Sequence, residues 1–219
     1  ADPPLDTGAH IISAGQATMM AADPRVVSFG EDTGRKGGVT TCTLGLQGGR
    51  AQIGETFWGR SSALERYVPE KGFGSERCFD TAIVESTIIG IAVGMALRGL
   101  RPIAEIQYQD YVKFAEQQLA DEAGCLRHRT AGGQECPLLV RVHGHRLMGM
   151  WHAGSPMGSL LNIPGLMVMV PRNAIQAVGI YRAWLKYSRD PAISIEPLID
   201  LYGKLPVPEN LEEICIPLG

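Results

Sequence analysis

Hydrophobic and polar positions along the chain fall into short apolar runs separated by stretches of helical spacing. His10 to Ala22 carries a weak helical pattern that stops at Asp23-Pro24, a turn-forming pair. Arg25 to Gly30 (RVVSFG) and Arg77 to Asp80 (RCFD) predict short strands. Glu85 to Arg98 predicts a helix rich in small residues, closed by Gly99. Arg101 to Ile106 is a strand that opens with a proline, and Asp110 to Arg129 has the spacing of one long amphipathic helix. Pro137 to Val142 and Leu166 to Val170 are apolar strands, Asn173 caps a helix through Tyr187, and Ala192 to Glu196 is the last strand. Two segments lack a period: Glu31 to Ser62, rich in Gly and Thr, and the Gly-rich loop His143 to Ser155.

Strands that alternate with helices, several of them apolar throughout, imply an α/β fold with a mostly parallel sheet and helices on both faces. Ligands of such sheets sit at the carboxyl ends of strands. That rule selects the loop after Gly30, the turn Thr81 to Glu85 and the loop after Val142. Residues 1–200 are expected to form one domain. The tail 201–219, polar and broken by prolines, reads as a linker toward a C-terminal domain absent from this chain.

Composition narrows the function classes. The chain is 45% hydrophobic and 20% charged, with a net charge of −3 and scattered basic residues, which argues against nucleic acid as a partner. The five cysteines are widely spaced without a CxxC pair, so neither a disulfide framework nor a zinc site is expected. A reducing compartment, the cytoplasm, follows from that usage. No apolar run reaches the roughly 20 residues that cross a bilayer, so no membrane partner is expected. The dinucleotide fingerprint, the nucleotide P-loop, the GxSxG nucleophile elbow and HExxH are all missing.

The chemically informative run is Phe79 to Tyr111. Glu85 stands at a helix start in apolar company, either as an acid favoured by the helix dipole or as a carboxylate buried for a purpose. Gly90 and Gly94 form a GxxxG pair, a weak sign of close helix packing. His143, His145 and His152 share one loop, but their spacing suits no standard metal site.

Several blocks, in order, resemble the beta-type chains of the decarboxylating component of 2-oxo acid dehydrogenase complexes. They are SFGED at 28–32, FDTAIVE at 79–85, GIAVGMALRGLRPIAEIQYQDY at 90–111, WHAGSP at 151–156, PGLMVMVPRN at 164–173 and IPLG at 216–219. EIQYQDY is closer to the branched-chain (2-oxoisovalerate) type. GHRLMGMWHAGSPMG is similar to bacterial versions with fused alpha and beta parts.

The resemblance implies a transketolase-like pyrimidine-binding domain and the cofactor thiamine diphosphate. It makes Glu85 the carboxyl group that hydrogen-bonds a ring nitrogen of the aminopyrimidine and drives its tautomer shift. It assigns Ile83, Gln107 and Tyr111 to the pyrimidine pocket, although Tyr111 alone reads as a core-side aromatic. His152 matches the family's active-site histidine. No GDG motif occurs in the sequence, so magnesium and the diphosphate are expected to be held by an alpha-type chain or fused domain. A lipoyl-bearing acyltransferase and homo- or hetero-oligomeric assembly are the further expected partners. Two departures stand out: Gln47 to Ser75 is longer than the family pattern, and the chain stops at IPLG. The rival readings are a sugar-specific relative, such as a transketolase or deoxyxylulose-phosphate synthase, and a non-catalytic assembly domain.

Overall fold

The structure, a computed structural model, describes residues 2–55, 61–144, 152 and 157–218. In chain order the strands are β1 (Leu5–Thr7), β2 (Val26–Gly30), β3 (Cys78–Asp80), β4 (Arg101–Tyr108), β5 (Leu139–Gly144), β6 (Met167–Met169), β7 (Ala192–Pro197) and β8 (Lys204–Pro206). The α-helices are α1 (Gly8–Ala22), α2 (Gly49–Gly54), α3 (Ser62–Tyr67), α4 (Glu85–Leu97), α5 (Cys125–Arg129), α6 (Met157–Leu161), α7 (Ala174–Tyr187) and α8 (Leu198–Tyr202). Six strands form one parallel sheet in the order β3-β2-β4-β5-β7-β6. The expected α/β architecture is therefore present.

Period-two alternation divides the central strands between two cores. Ile103, Leu139 and Ala192 face one core with α1, α3 and α7. Ala104, Ile106, Val140, Val142, Ile193 and Ile195 face the other, with α4 and the stretch that follows β4. The helix expected over 110–129 is present as one continuous helical stretch whose winding changes along its length. It runs as a 3-10 turn (Gln109–Ala115), a π-helical turn (Gln118–Gly124) and then α5. Packing is close at its end: a side chain on Gly165 would come within 2.2 Å of the Gly124 carbonyl, so only glycine fits there.

On the first core's side, the middle strands carry ions where apolar residues would be expected. Arg141 on β5 is opposite Glu105 on β4 in register, and Glu196 lies on β7. Its guanidinium donates to Glu105 Oε2 at 2.7 Å and, as a fork, to both Glu196 oxygens at 2.7 and 2.8 Å. All three side chains are almost fully buried. Tyr181 on α7 donates its hydroxyl proton to Glu196, and its oxygen lies 2.9 Å from Ser194 Oγ. Burial works against the Arg141 charge, but Glu196 and then Glu105 hold its proton well above the usual range.

The edges are tied by other polar contacts. Arg101 donates to the carbonyls of Trp184, Leu185 and Ser188 and lies over the Trp184 ring, capping the end of α7. Asp6 accepts from His10, Ser61 and the Ala63 amide, joining β1, α1 and α3. The tail expected as a linker lies on the domain: β8 pairs antiparallel with β1, and Ile216 donates to the Gly179 carbonyl. Arg182 donates to the carbonyls of Leu211 and Ile214, and Val207 and Leu211 are buried.

Two stability predictions follow from these contacts. Arg141→Met leaves two buried carboxylates without their cation and should cost about 3–5 kcal/mol in denaturant unfolding. Replacing Glu105 and Glu196 by leucine in the same variant should recover most of that loss. Burial raises the Asp6 carboxyl, but hydrogen bonds from His10, Ser61 and Ala63 outweigh it and bring the pKa from 3.8 to about 2. A depressed folded-state pKa stabilises above the unfolded value and is lost as pH falls through the folded one. Asp6→Asn should therefore flatten the acid limb of the stability curve between pH 3.8 and about 2, read by thermal melts.

Candidate functional site

The carboxyl ends of β2, β3, β4 and β5 bring together the loop after Gly30, the turn Thr81 to Glu85 and, of the loop after Val142, the described residue His152. At the end of β2 the chain turns sharply, because a Cβ on Gly30 would meet the Glu105 carbonyl at 2.5 Å and Thr33 Oγ1 at 2.8 Å. Glu31 follows that turn. Thr81 donates its amide to the Gly30 carbonyl, fixing the β3–α4 turn beside it. Asp80 accepts from the amides of Gly34 and Arg35, which holds the long loop after β2 against the same edge.

Glu85 occupies the first turn of α4 and is half-buried. Ile83, just before it, is 69% exposed, so its apolar face is open at the sheet edge. The carboxylates of Glu31 and Glu85 interact. Burial raises the Glu31 carboxyl above its usual range, the charges of Asp32 and Glu85 add to that, and a hydrogen bond from Gln107 opposes it. Gln107 on β4 thus reaches toward Glu31 at the end of β2.

Gln107 is also a register event. Ile106 pairs with Val142 and Tyr108 pairs with His143, so β4 carries one extra residue there, a β-bulge. Strict alternation would put Tyr108 on the same face as Ala104 and Ile106. The bulge turns it to the opposite face, where it packs with the first core and edge-on to His143 at 6.3 Å between centroids. Tyr111 remains with the second core, partly buried, so the core-side aromatic reading describes its packing. Its ring also reaches the site, edge-on to Tyr108 at 6.0 Å and to His152 at 5.5 Å.

His152 stacks on Tyr108 with centroids 3.8 Å apart and an interplanar angle of 13°. Its Nδ1 lies 3.1 Å from both oxygens of Asp110. The structure therefore gathers Glu85, Ile83 and Gln107 with Glu31 on one side of the edge, and Tyr111 and His152 with Tyr108 and Asp110 on the other. His145 and the remainder of WHAGSP lie outside the described residues.

Sequence reasoning assigned no role to Glu31, Tyr108 or Asp110. Each had a signal: Glu31 directly follows a strand within SFGED, and Tyr108 and Asp110 flank Gln107 and Tyr111 in QYQDY. His143 belongs elsewhere. It is fully buried with Thr40, Cys42 and Glu196, and Cys42, His143 and Glu196 have potential metal-ligating atoms within 4.8 Å of one another. The Glu196 oxygens already accept from Arg141 and Tyr181, so this trio is part of the buried ion network. Burial lowers the proton affinity of His143, but Cys42 and Glu196 outweigh it and raise the pKa to about 10. None of the helices among the described residues is long and apolar enough to cross a membrane.

The family described as "Transketolase, pyrimidine binding domain" matches residues 9–202. The 2-oxoisovalerate dehydrogenase subunit beta of Pseudomonas aeruginosa is 39% identical over 181 residues, 82% of this chain and 45% of that protein. The pyruvate dehydrogenase E1 component subunit beta of Acholeplasma laidlawii is 36% identical over 200 residues, 90% of this chain and 54% of that protein. The chain thus spans about half the length of the curated relatives it matches. A solved structure titled "Split gene transketolase, inactive beta4 tetramer" superposes with a TM-score of 0.56 at 13% identity, covering 86% of this chain and 50% of that one. That likeness concerns the fold alone.

The crowding of Glu31 carries its own test. A carboxyl with a raised folded-state pKa destabilises above that pKa and ceases to do so as pH falls below it. Glu31→Gln should raise the melting temperature at neutral pH, with the gain vanishing in acid.

Proposed function

The chain belongs to the transketolase pyrimidine-binding-domain family, and from that premise we propose that it is the beta-type half of a thiamine-diphosphate-dependent 2-oxo acid dehydrogenase. The carrying observation is Glu85 at the head of α4, beside Glu31 and Gln107 on the carboxyl edge of the sheet. The substrate is a 2-oxo acid of the branched-chain or pyruvate class, and the acyl group goes to a lipoyl carrier. The names of the beta-subunit relatives and the ordered sequence blocks support that choice.

These residues fit the aminopyrimidine end of the cofactor. Two neighbouring carboxyl groups, one with raised proton affinity, together with an amide suit the alternating donors and acceptors of that ring's edge. They do not suit the diphosphate end. Glu31, Asp32, Asp80, Glu85 and Asp110 make this edge acidic, and Lys36 is already paired with Asp32 at 2.6 Å. Together with the missing GDG, that favours a partner that holds magnesium and the diphosphate.

When bound, thiamine diphosphate supplies the carbon centre that adds to the 2-oxo group and lets carbon dioxide leave. The chain's own part is proton control and shape. Glu85 shares a proton with a pyrimidine nitrogen at its carboxyl group. Gln107 orients the Glu31 carboxyl beside it, and Ile83 and Tyr111 give the ring apolar faces. His152 holds or passes a proton through Nε2 during acyl transfer. The uncharged face of α4, with Gly90, Gly94 and Leu97 exposed, is the surface we assign to association with a partner subunit. The segment 201–219 leads toward a further C-terminal domain, and the enzyme acts in the cytoplasm.

Glu85→Gln in the enzyme assembled with its GDG-bearing partner should lower turnover about 10²–10⁴-fold. Full activity in that variant would remove Glu85 from the chemistry. Titration calorimetry of this chain alone with thiamine diphosphate and magnesium should show weak heats, whereas tight magnesium-dependent binding would contradict the half-site.

A further inference from the structure

His152 adopts a left-handed backbone with φ at 61°. For a residue with a side chain this is an uncommon and strained conformation, and it persists where surrounding contacts impose it. Two contacts meet the ring here. One is the face of Tyr108, stacked at 3.8 Å and 13°. The other is the Asp110 carboxylate, both oxygens 3.1 Å from Nδ1.

From this geometry we propose that Tyr108 and Asp110 are positioning residues that fix the plane and tautomer of the His152 imidazole, a role that rests on the function given above. A carboxylate can only accept, so Nδ1 must carry the proton. Nε2 is then left with its lone pair free, ready to take and return a proton. Tyr108 is available as a shelf only because of the bulge at Gln107. With regular pairing, its ring would point into the other core. Asp110 comes two residues later, at the start of the 3-10 turn. One irregularity in β4 therefore aims Gln107 at Glu31 and Tyr108 under His152. Tyr111 closes the remaining side, edge-on to both rings.

The tautomer is readable without any turnover. In chain labelled with ¹⁵N-histidine, the His152 signals, identified by their loss in His152→Gln, should report protonated Nδ1 and bare Nε2 at high pH. Asp110→Asn should move that balance toward the opposite tautomer, and Asp110→Glu should restore it. A wild-type His152 found with the proton on Nε2 overturns the proposal without any variant. In the assembled enzyme, Asp110→Asn should lower acyl transfer roughly 10²-fold and shift its pH profile, with KM for the 2-oxo acid unchanged. Tyr108→Phe should keep near-normal rates and Tyr108→Leu should not. Wild-type rates and pH profile in Asp110→Asn overturn the positioning role while the enzyme assignment stands. An assembled wild-type enzyme that decarboxylates no 2-oxo acid, yet shows the expected tautomer, overturns the enzyme assignment instead.

Discussion

Arg141 is the contact on which the sheet's interior depends. It stands on the middle strand of three, and its fork and third donor pair with carboxylates on both neighbours. Neither Glu105 nor Glu196 could be buried alone, since an isolated ion in a protein interior is costly. Each charge is admissible only because the others are in register, so a one-residue slip of β4 or β7 would leave an ion unpaired. The ion network is better read as a register device than as a source of net stability. The carboxyl edge lies just beyond this layer, where β4, β5 and β7 end at Tyr108, Gly144 and Pro197.

Above that fixed level the chain departs from regularity in a controlled way. The bulge at Gln107 comes two residues after Glu105. Below it, side chains alternate strictly between two cores. Beyond it, Gln107, Tyr108, Asp110 and Tyr111 take up positions that alternation would forbid. The site is thus built on the first irregular residues of an otherwise over-determined strand, which gives it precision without a loop scaffold of its own.

How much of this was legible depended on the length scale of the signal. The strands and most of the helices follow from local pattern, as at Val26–Gly30 and Ala174–Tyr187, where Asn173 caps the helix as read. The 110–129 stretch is helical as its apolar spacing predicts, but spacing does not tell 3-10 and π turns from α turns. The tail read as a linker because it is polar and proline-broken, yet its carbonyls satisfy Arg182, a partner visible only in three dimensions. In the site, Glu85 and Gln107 were singled out by the ordered sequence blocks. Tyr108 and Asp110 lie in the same QYQDY block, but their contacts with His152 depend on a bulge and on a partner more than 40 residues away, neither of which leaves a period. The alternating charges Glu105, Arg141 and Glu196 were in plain view as odd residues in apolar strands.

Asp32, Thr41 and His152 share a backbone setting that glycine would occupy at no cost. All three lie in the loops at the carboxyl edge, after β2 and β5. A redesign guided by stability alone would change each of them to glycine and gain from it. In doing so it would erase the imidazole that stacks on Tyr108 and loosen the turns around Glu31. For this fold, an engineer seeking a hardier protein should treat conformational discomfort at the carboxyl edge as a map of what to leave alone.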